Sequence, residues 1–329
     1  MPKFGYLLPT REIVLSSENE TSLTAKTETE VIGLARRAEA LGIDGVWVGD
    51  SVLAKPRLEP LSTLAAIASV TDAVDLGTAV YLPTLRNPVH VAHLTATIDQ
   101  ISGGRLGLGI GVGIGADVQR EYENLGIDFD TRGARMDELL EIVNGLWEGD
   151  PVSFAGEFFD LEQASIGFGP TRKPPIYIPT AAFDPSEGFP ISIRDRLLSY
   201  GDGWLPIGVS PPAYEASLDR IHSLLREADR NPDSFEPAVY LDMVISETEA
   251  DALEEVRSFY ERYYPERDRL TDEAIQARGA FGPPEDVANT IDAYEDAGVE
   301  NVIVRFTTRD QRTQLRRFAD VVRCGSSRY

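Results

Sequence analysis

The chain has 329 residues, 42% of them hydrophobic, enough for one large core or two smaller ones. It carries 54 acidic against 31 basic residues, a formal net charge of −23 at pH 7. Binding a nucleic acid or an anionic membrane takes a basic stripe, so neither is expected as a partner. Nor is the charge a tail. Residues 1–174 hold 25 acids and 14 bases (−11), residues 175–329 hold 29 and 17 (−12), and four lysines stand beside 27 arginines. An even acidic coat poor in lysine resembles proteins of organisms that keep molar salt in the cytosol, where the Debye length falls to about 3 Å at 1 M. The single cysteine, Cys324, cannot form an internal disulfide. The opening Met-Pro-Lys-Phe-Gly-Tyr-Leu-Leu-Pro is too soon interrupted by proline for a signal peptide, and no stretch nears the roughly 18 apolar residues of a membrane span. A cytoplasmic protein is expected.

Short apolar runs alternate with helical patterns along the whole chain. Phe4–Leu8 reads as a strand and Arg11–Lys26 as a polar loop. Thr27–Leu41 follows with apolar residues near helical spacing, and Gly42 stops it. Gly45–Val48 is the second strand, Pro60–Ser69 a helix and Val74–Tyr81 the third strand. Pro88 opens a helix that runs to Ser102 before Gly103-Gly104. Leu106–Val112 is the fourth strand and Arg132–Trp147 the fourth helix, and a Gly-centred hairpin is predicted within Asp150–Pro175. Strands Ile176–Ile178, Gly203–Leu205 and Ala238–Ile245 then alternate with helices Ser192–Tyr200, Pro212–Asp229 and Glu249–Tyr263. After a variable stretch come helix Pro284–Ala297, strand Val302–Phe306 and helix Gln311–Val322. Eight strand–helix units without a linker predict one α/β domain over 1–329, a (β/α)8 TIM barrel with insertions, including the hairpin between helix 4 and strand 5. A doubly wound sheet is the alternative.

In a barrel, chemistry belongs to the loops after the strands. Strand 2 delivers Asp50 and Ser51, followed by Lys55, Arg57 and Glu59. Asp50 can serve as base, orienter or acceptor, or can merely cap the next loop. His90 and His93 have metal-ligand spacing on a helix face, but no third ligand stands near, so no metal is expected. His90 alone is a candidate contact for substrate or cofactor; the other reading is a packed or solvated histidine. Gly107, Gly109, Gly111, Gly113 and Gly115 alternate with larger residues, which in an extended strand bares one face. Such a face suits a flat ligand against the backbone, or it relieves crowding inside a barrel. Gly111, Gly113 and Ala116 also fit the dinucleotide pattern G-x-G-x-x-A, but the next clear helix starts only near Arg132. Thr180-Ala181-Ala182, ahead of a helix, suits a phosphate cradle or a plain turn. Hydrolase triads and paired acids are not recognisable.

Val46-Trp47-Val48-Gly49-Asp50-Ser51, Leu76-Gly77-Thr78-Ala79-Val80, and Ile98-Asp99-Gln100-Ile101-Ser102-Gly103-Gly104-Arg105 running into Leu108-Gly109-Ile110-Gly111 resemble the luciferase-like flavin-dependent oxidoreductases. The likeness spans most of residues 1–180 and returns at Gly282-Pro283-Pro284-Glu285-Asp286-Val287 and Ala297-Gly298-Val299. It implies a (β/α)8 barrel, a homodimer, and FMN or the deazaflavin coenzyme F420 at the mouth, acting on a small organic substrate. In deazaflavin-using relatives a non-prolyl cis peptide ends strand 3, here by position Ala79–Val80. The resemblance places the ring beside Gly111 and Gly113, the strand 2 loop at Ser51, and the phosphate near Thr180, Ala181 and Ala182. Several such dehydrogenases have a histidine proton acceptor after the strand 2 aspartate; here it is Ser51, leaving Asp50 or His90 as candidates. The acidic coat tilts the choice to an F420-dependent oxidoreductase that transfers a hydride. An FMN-dependent monooxygenase is the alternative, and a non-catalytic flavin-binding protein the alternative of another class. An anionic cofactor in an anionic protein requires arginines at the mouth, for which Arg57, Arg86, Arg120 and Arg132 are the candidates.

Overall fold

Every strand of the main sheet lies parallel to its neighbours, as strands joined through helices must. The structure is a computed structural model and describes residues 1–15, 23–180, 183–184, 188–264 and 270–326. Strands β1 (Lys3–Leu7), β2 (Gly45–Val48), β3 (Asp75–Tyr81) and β4 (Leu106–Ile110) match the predicted ones within two residues. The predicted hairpin is present as β5 (Val152–Ala155) against β6 (Asp160–Ala164), antiparallel. The wall resumes with β7 (Ile176–Ile178), β8 (Gly203–Trp204) and β9 (Glu236–Ile245), and ends with β11 (Asn301–Phe306). The order β9-β11-β1-β2-β3-β4-β7-β8 closes on itself through β8–β9 pairing, an eight-stranded barrel.

One wall strand is absent from the sequence reading. β10 (Gly279–Gly282) lies in the stretch left variable and pairs with the upper half of β9, Gly279 to Asp242 through Gly282 to Ile245. β8 holds only the lower end of that edge, at Glu236 and Pro237, so β10 extends the wall above it. The polar loop Arg11–Lys26 also needs correction. It contains the short helices α1 (Glu12–Leu15) and α2 (Leu23–Lys26), the latter running through a π-helical stretch, Thr27–Ile32, into α3 (Gly33–Ala40).

The outer ring follows from amphipathic helices that bury one face on the sheet. α4 (Pro60–Ala68) and α5 (Pro88–Ser102) each start on proline behind a capping side chain: Glu59 accepts from Ser62 N, and Asn87 from Val89 N. α7 (Arg132–Glu148) packs along α5, and its Trp147 indole donates to Thr95 Oγ1 at 3.2 Å. Between β4 and α7 stands an unpredicted helix, α6 (Ala116–Asn124). α8 (Ile191–Tyr200), α9 (Pro211–Glu227), α10 (Glu249–Tyr263), α11 (Asp272–Gln276), α12 (Pro284–Asp296) and α13 (Gln311–Ser326) complete the circuit.

Inside the barrel a separate apolar layer is made by Leu7, Trp47, Tyr177, Leu205, Ala238, Tyr240 and Ile303. Trp47 fills the space that glycines leave open. A Cβ on Gly5 would meet its Nε1 at 2.4 Å, and one on Gly77 its ring at 2.2 Å. Gly107 and Gly109 belong to the same packing, facing Tyr177 and the Thr78 carbonyl with Leu205. Here the glycine stripe relieves crowding and offers no bare face to a flat ligand. It also ends early. β4 stops at Ile110, and Gly113 (φ 69°) and Gly115 (φ 97°) turn the chain into α6. The G-x-G-x-x-A residues Gly111, Gly113 and Ala116 therefore do sit on a strand–turn–helix, contrary to the sequence reading.

Candidate active site

The barrel has a cavity at each end. One, of about 310 Å³, lies where the strands begin, among Lys3, Asp75, Arg105, Arg172, Lys173 and Glu236. The other, of about 300 Å³, lies where the strands end, the face on which barrels carry chemistry. Its floor and walls are Leu7, Ala79, Val80, Leu82 and Leu205; its rim holds Lys55, Arg57, Tyr263, Tyr264 and Arg305.

The β2 and β3 ends build one wall. The Ala79–Val80 peptide is cis, at the position implied by the family resemblance. The β3–β4 register slips there, Thr78 facing Leu108 and Tyr81 facing Ile110, so Ala79 and Val80 bulge from the ladder toward the cavity. Asp50 N donates to Val80 O at 3.1 Å and Gly111 N to Tyr81 O at 2.7 Å, which holds both sides of the bulge. The Asp50 carboxylate faces the same cavity but is fully engaged. Arg86 grips it with both terminal nitrogens, one at 3.0 Å, and Leu82 N donates at 2.9 Å. Burial pushes the Asp50 carboxyl above the ordinary carboxylate range, against the pull of Arg86, the Leu82 N–H and Arg57. The forked guanidinium contact favours the charged carboxylate against that burial. Asp50 thus orients the loop after β3 and is poorly placed to act as a base.

Ser51 is equally occupied. Its hydroxyl donates to Glu121 Oε1 at 3.1 Å and accepts from Lys55 N at 2.8 Å. The same Glu121 oxygen gathers the backbone N–H groups of Val52, Leu53 and Ala54. Glu121, on α6, is 1% exposed and was not legible as a site residue, since its helix was not predicted.

The opposite wall comes from β9, β11 and the end of α10. Arg305 and Asp242 are direct neighbours in the β9–β11 register and pair with both carboxylate oxygens, at 2.6 and 2.8 Å. Asp242 also accepts from Tyr260, and Arg278 stands 3.7 Å away. The Arg305 guanidinium lies within 6 Å of five ring centroids, Tyr240, Phe259, Tyr260, Tyr263 and Tyr264, and donates to Tyr264 Oη at 3.0 Å. Arg11 stacks over Tyr263 at 4.3 Å, and its buried Nε and Nη1 have no hydrogen-bond partner among the described residues. Nothing in the motifs named these groups. The signal was a charge in each of two buried strands, Val-Ile-Val-Arg305-Phe and Tyr-Leu-Asp242-Met.

The structure brings together Asp50, Ser51, Ala79, Val80 and Gly113 around this cavity. Gly111 lies just behind, where a Cβ would press on Val80 Cγ2 at 2.9 Å. Thr180 follows the lining residue Pro179 without itself reaching the wall, and Ala181 and Ala182 lie outside the described residues. His90 is not brought in. It is exposed on α5 because that turn of the helix faces solvent, while His93 packs edge-on against Phe168. Of the four arginines expected at the mouth, Arg57 lines it and Arg86 supports it from behind Asp50. Arg120 pairs with Asp117 on the outer face of α6 and Arg132 stacks on Phe129, so both are spent elsewhere.

Residues 2–301 match the family model described as luciferase-like monooxygenase. The chain belongs to this family. Among its luciferase-like relatives is an F420-dependent glucose-6-phosphate dehydrogenase of Amycolatopsis mediterranei, 28% identical over 325 residues, 89% of this chain and 93% of the relative. Two solved structures share the fold over 98% of this chain and 99% of theirs. They are an F420-dependent secondary alcohol dehydrogenase holding an F420–acetone adduct (TM-score 0.77, 20% identity) and a monooxygenase from Streptomyces bottropensis (TM-score 0.81, 22% identity). Membership of the family makes this luciferase-like protein an enzyme of flavin- or deazaflavin-linked oxidoreduction, which sets aside the non-catalytic alternative. Among the described residues no helix is long and apolar enough to cross a membrane.

Proposed function

We propose that this luciferase-like enzyme uses coenzyme F420 to transfer a hydride to or from a small organic substrate. The observation that carries the reading is the basic rim: in a chain of net charge −23, Lys55, Arg57 and Arg305 meet at one apolar cavity. Arg57 has no carboxylate partner among the described residues; its Nε reaches only Lys55 O, at 3.3 Å. Such a rim fits the anionic tail of F420, and the apolar wall at Leu7, Ala79, Val80 and Leu205 fits a flat ring. In this reading Ser51, Ala79, Val80 and Gly113 line the ring's site, Gly111 leaves room behind Val80, and Thr180, Ala181 and Ala182 approach the phosphate. When bound, F420 supplies a two-electron hydride carrier. The chain's own part is to position and to exclude water: Asp50 with Arg86 fixes the loop after β3, and Glu121 fixes the loop after β2. A homodimer and a cytoplasmic location belong to the same reading.

The test is a titration of purified protein in molar KCl with F420 and separately with FMN, followed by cofactor fluorescence. Tight binding of F420, weakened about tenfold or more by Arg57→Ala, is expected. A panel of secondary alcohols, enals and imines then identifies the substrate class. Binding of FMN alone replaces this reading with an FMN-dependent monooxygenase, and binding of neither overturns both.

A further inference from the structure

Where the resemblance implies a histidine proton acceptor in several deazaflavin-using dehydrogenases, this chain has Ser51, whose hydroxyl is committed to Glu121 and Lys55 N. Asp50 is held by Arg86, and His90 is outside the cavity. For a substrate whose reaction needs a proton acceptor, that leaves the side of the cavity built by Tyr263, Tyr264 and Arg305. We propose that Tyr264 is the group that exchanges a proton with the substrate, its phenolic oxygen primed by Arg305 and Lys55. This rests on the F420 reading above.

Three observations carry the assignment. Tyr264 lines the same cavity as the Ala79–Val80 wall, so both can face one bound substrate. Its oxygen accepts from Arg305 Nη1 at 3.0 Å, and Arg305 is fixed by the two-pronged grip of Asp242 on β9, so the donor cannot swing away. The Lys55 ammonium, from the loop after β2, stands 5.0 Å over the Tyr264 ring, and the Arg11 guanidinium, from the loop after β1, 5.6 Å. Among the described residues, Arg305, Lys55 and Arg11 face this phenol together with the carboxylate of Asp242, while Tyr260 and Tyr263 pack on its ring. Burial by itself pushes the phenol up; the Arg305 charge and hydrogen bond, with Lys55, outweigh it and bring Tyr264 below the ordinary tyrosine range. The neighbouring Tyr240 and Tyr260 move the other way, because burial dominates there, aided by Asp242 and opposed by Arg305.

In the oxidative direction the balance is simple. With Tyr264 ionised, an alcohol would give up two electrons and one proton from carbon, as a hydride for the deazaflavin, and its O–H proton to the Tyr264 phenolate, which becomes the phenol; a C=O bond forms as the O–H and C–H bonds break. Reduction runs the same transfers backwards, with the Tyr264 O–H as donor.

The experiment starts without cofactor. Tyrosinate absorbance is followed against pH in the wild type, Tyr264→Phe and Lys55→Met. One tyrosine is expected to ionise ahead of all others in the wild type, to vanish from the Y264F titration, and to shift to higher pH in K55M. Y264F, which removes a single oxygen, is expected to bind F420 within about twofold of the wild type. On the substrate class found by the panel, its kcat is expected to fall about 10²–10⁴-fold with KM little changed. In the wild type, kcat for alcohol oxidation rises as the phenol ionises, and K55M moves that rise to higher pH. A wild type without the early tyrosinate phase, a Y264F protein that retains it, or a Y264F kcat within about threefold of the wild type overturns the proposal. Failure of the wild type to bind F420 is read separately and overturns the cofactor reading instead.

Discussion

Asp50 and Asp242 are both buried aspartates gripped by a forked arginine, yet they differ in what lies behind them. Asp50 stands next to a glycine at a strand end, where an acid is a legible site signal. Asp242 lies mid-strand among apolar residues, 0% exposed, and acquires its meaning only from the β9–β11 register that sets Arg305 beside it. Asp242→Asn keeps the shape but leaves the Arg305 guanidinium buried without its counter-ion. A loss of about 3–5 kcal/mol in urea unfolding is expected, with the early Tyr264 ionisation displaced as well. A loss under about 1 kcal/mol would show that Arg305 reaches solvent. Sequence reading found Asp50 and Ser51 by position and left open whether Asp50 acts as base, orienter or cap. What each atom donates to or accepts from is decided by partners such as Arg86 and Glu121, 36 and 70 residues away.

Helices with a strong start and stop were legible. α5 begins with Asn87-Pro88 and ends at Gly103, whose φ of 72° and backbone bonds to Asp99 O and Gln100 O make a left-handed cap. An added Cβ there meets nothing within 4 Å, so Gly103→Ala isolates the backbone cost. A loss of about 1–2 kcal/mol is expected in chemical denaturation, without loss of cofactor binding. α6 and β10 were not legible for opposite reasons. α6 buries only Val118, Glu121 and Tyr122, too narrow an apolar face to announce a helix. β10 is four residues, two of them glycine, and Gly279 is required because a Cβ would lie 1.7 Å from Asp242 O. Strands that short are made by the ladder they join and carry no pattern of their own.

Across the whole molecule, charge sets two demands that meet at the cavity. A coat of −23 repels itself in dilute buffer and is screened within about 3 Å at 1 M salt. The thermal midpoint is expected to rise by several degrees or more between about 0.1 and 2 M KCl. A flat or falling midpoint would remove the reading of the coat as an adaptation to salt. The same coat makes the basic rim at Lys55, Arg57 and Arg305 stand out as a local exception. The sequence by itself determined the barrel, its hairpin insertion, the family and the strand ends at Asp50 and Ala79–Val80, because alternation, caps and short motifs are local properties of the chain. Only the tertiary structure decided that Asp50 and Ser51 are tied up, that His90 faces solvent, and that Arg305 and Tyr264 complete the far wall. Those facts depend on strand register and loop convergence, and closing a barrel sets β9, α10 and β11 opposite residues more than 150 positions earlier in the chain.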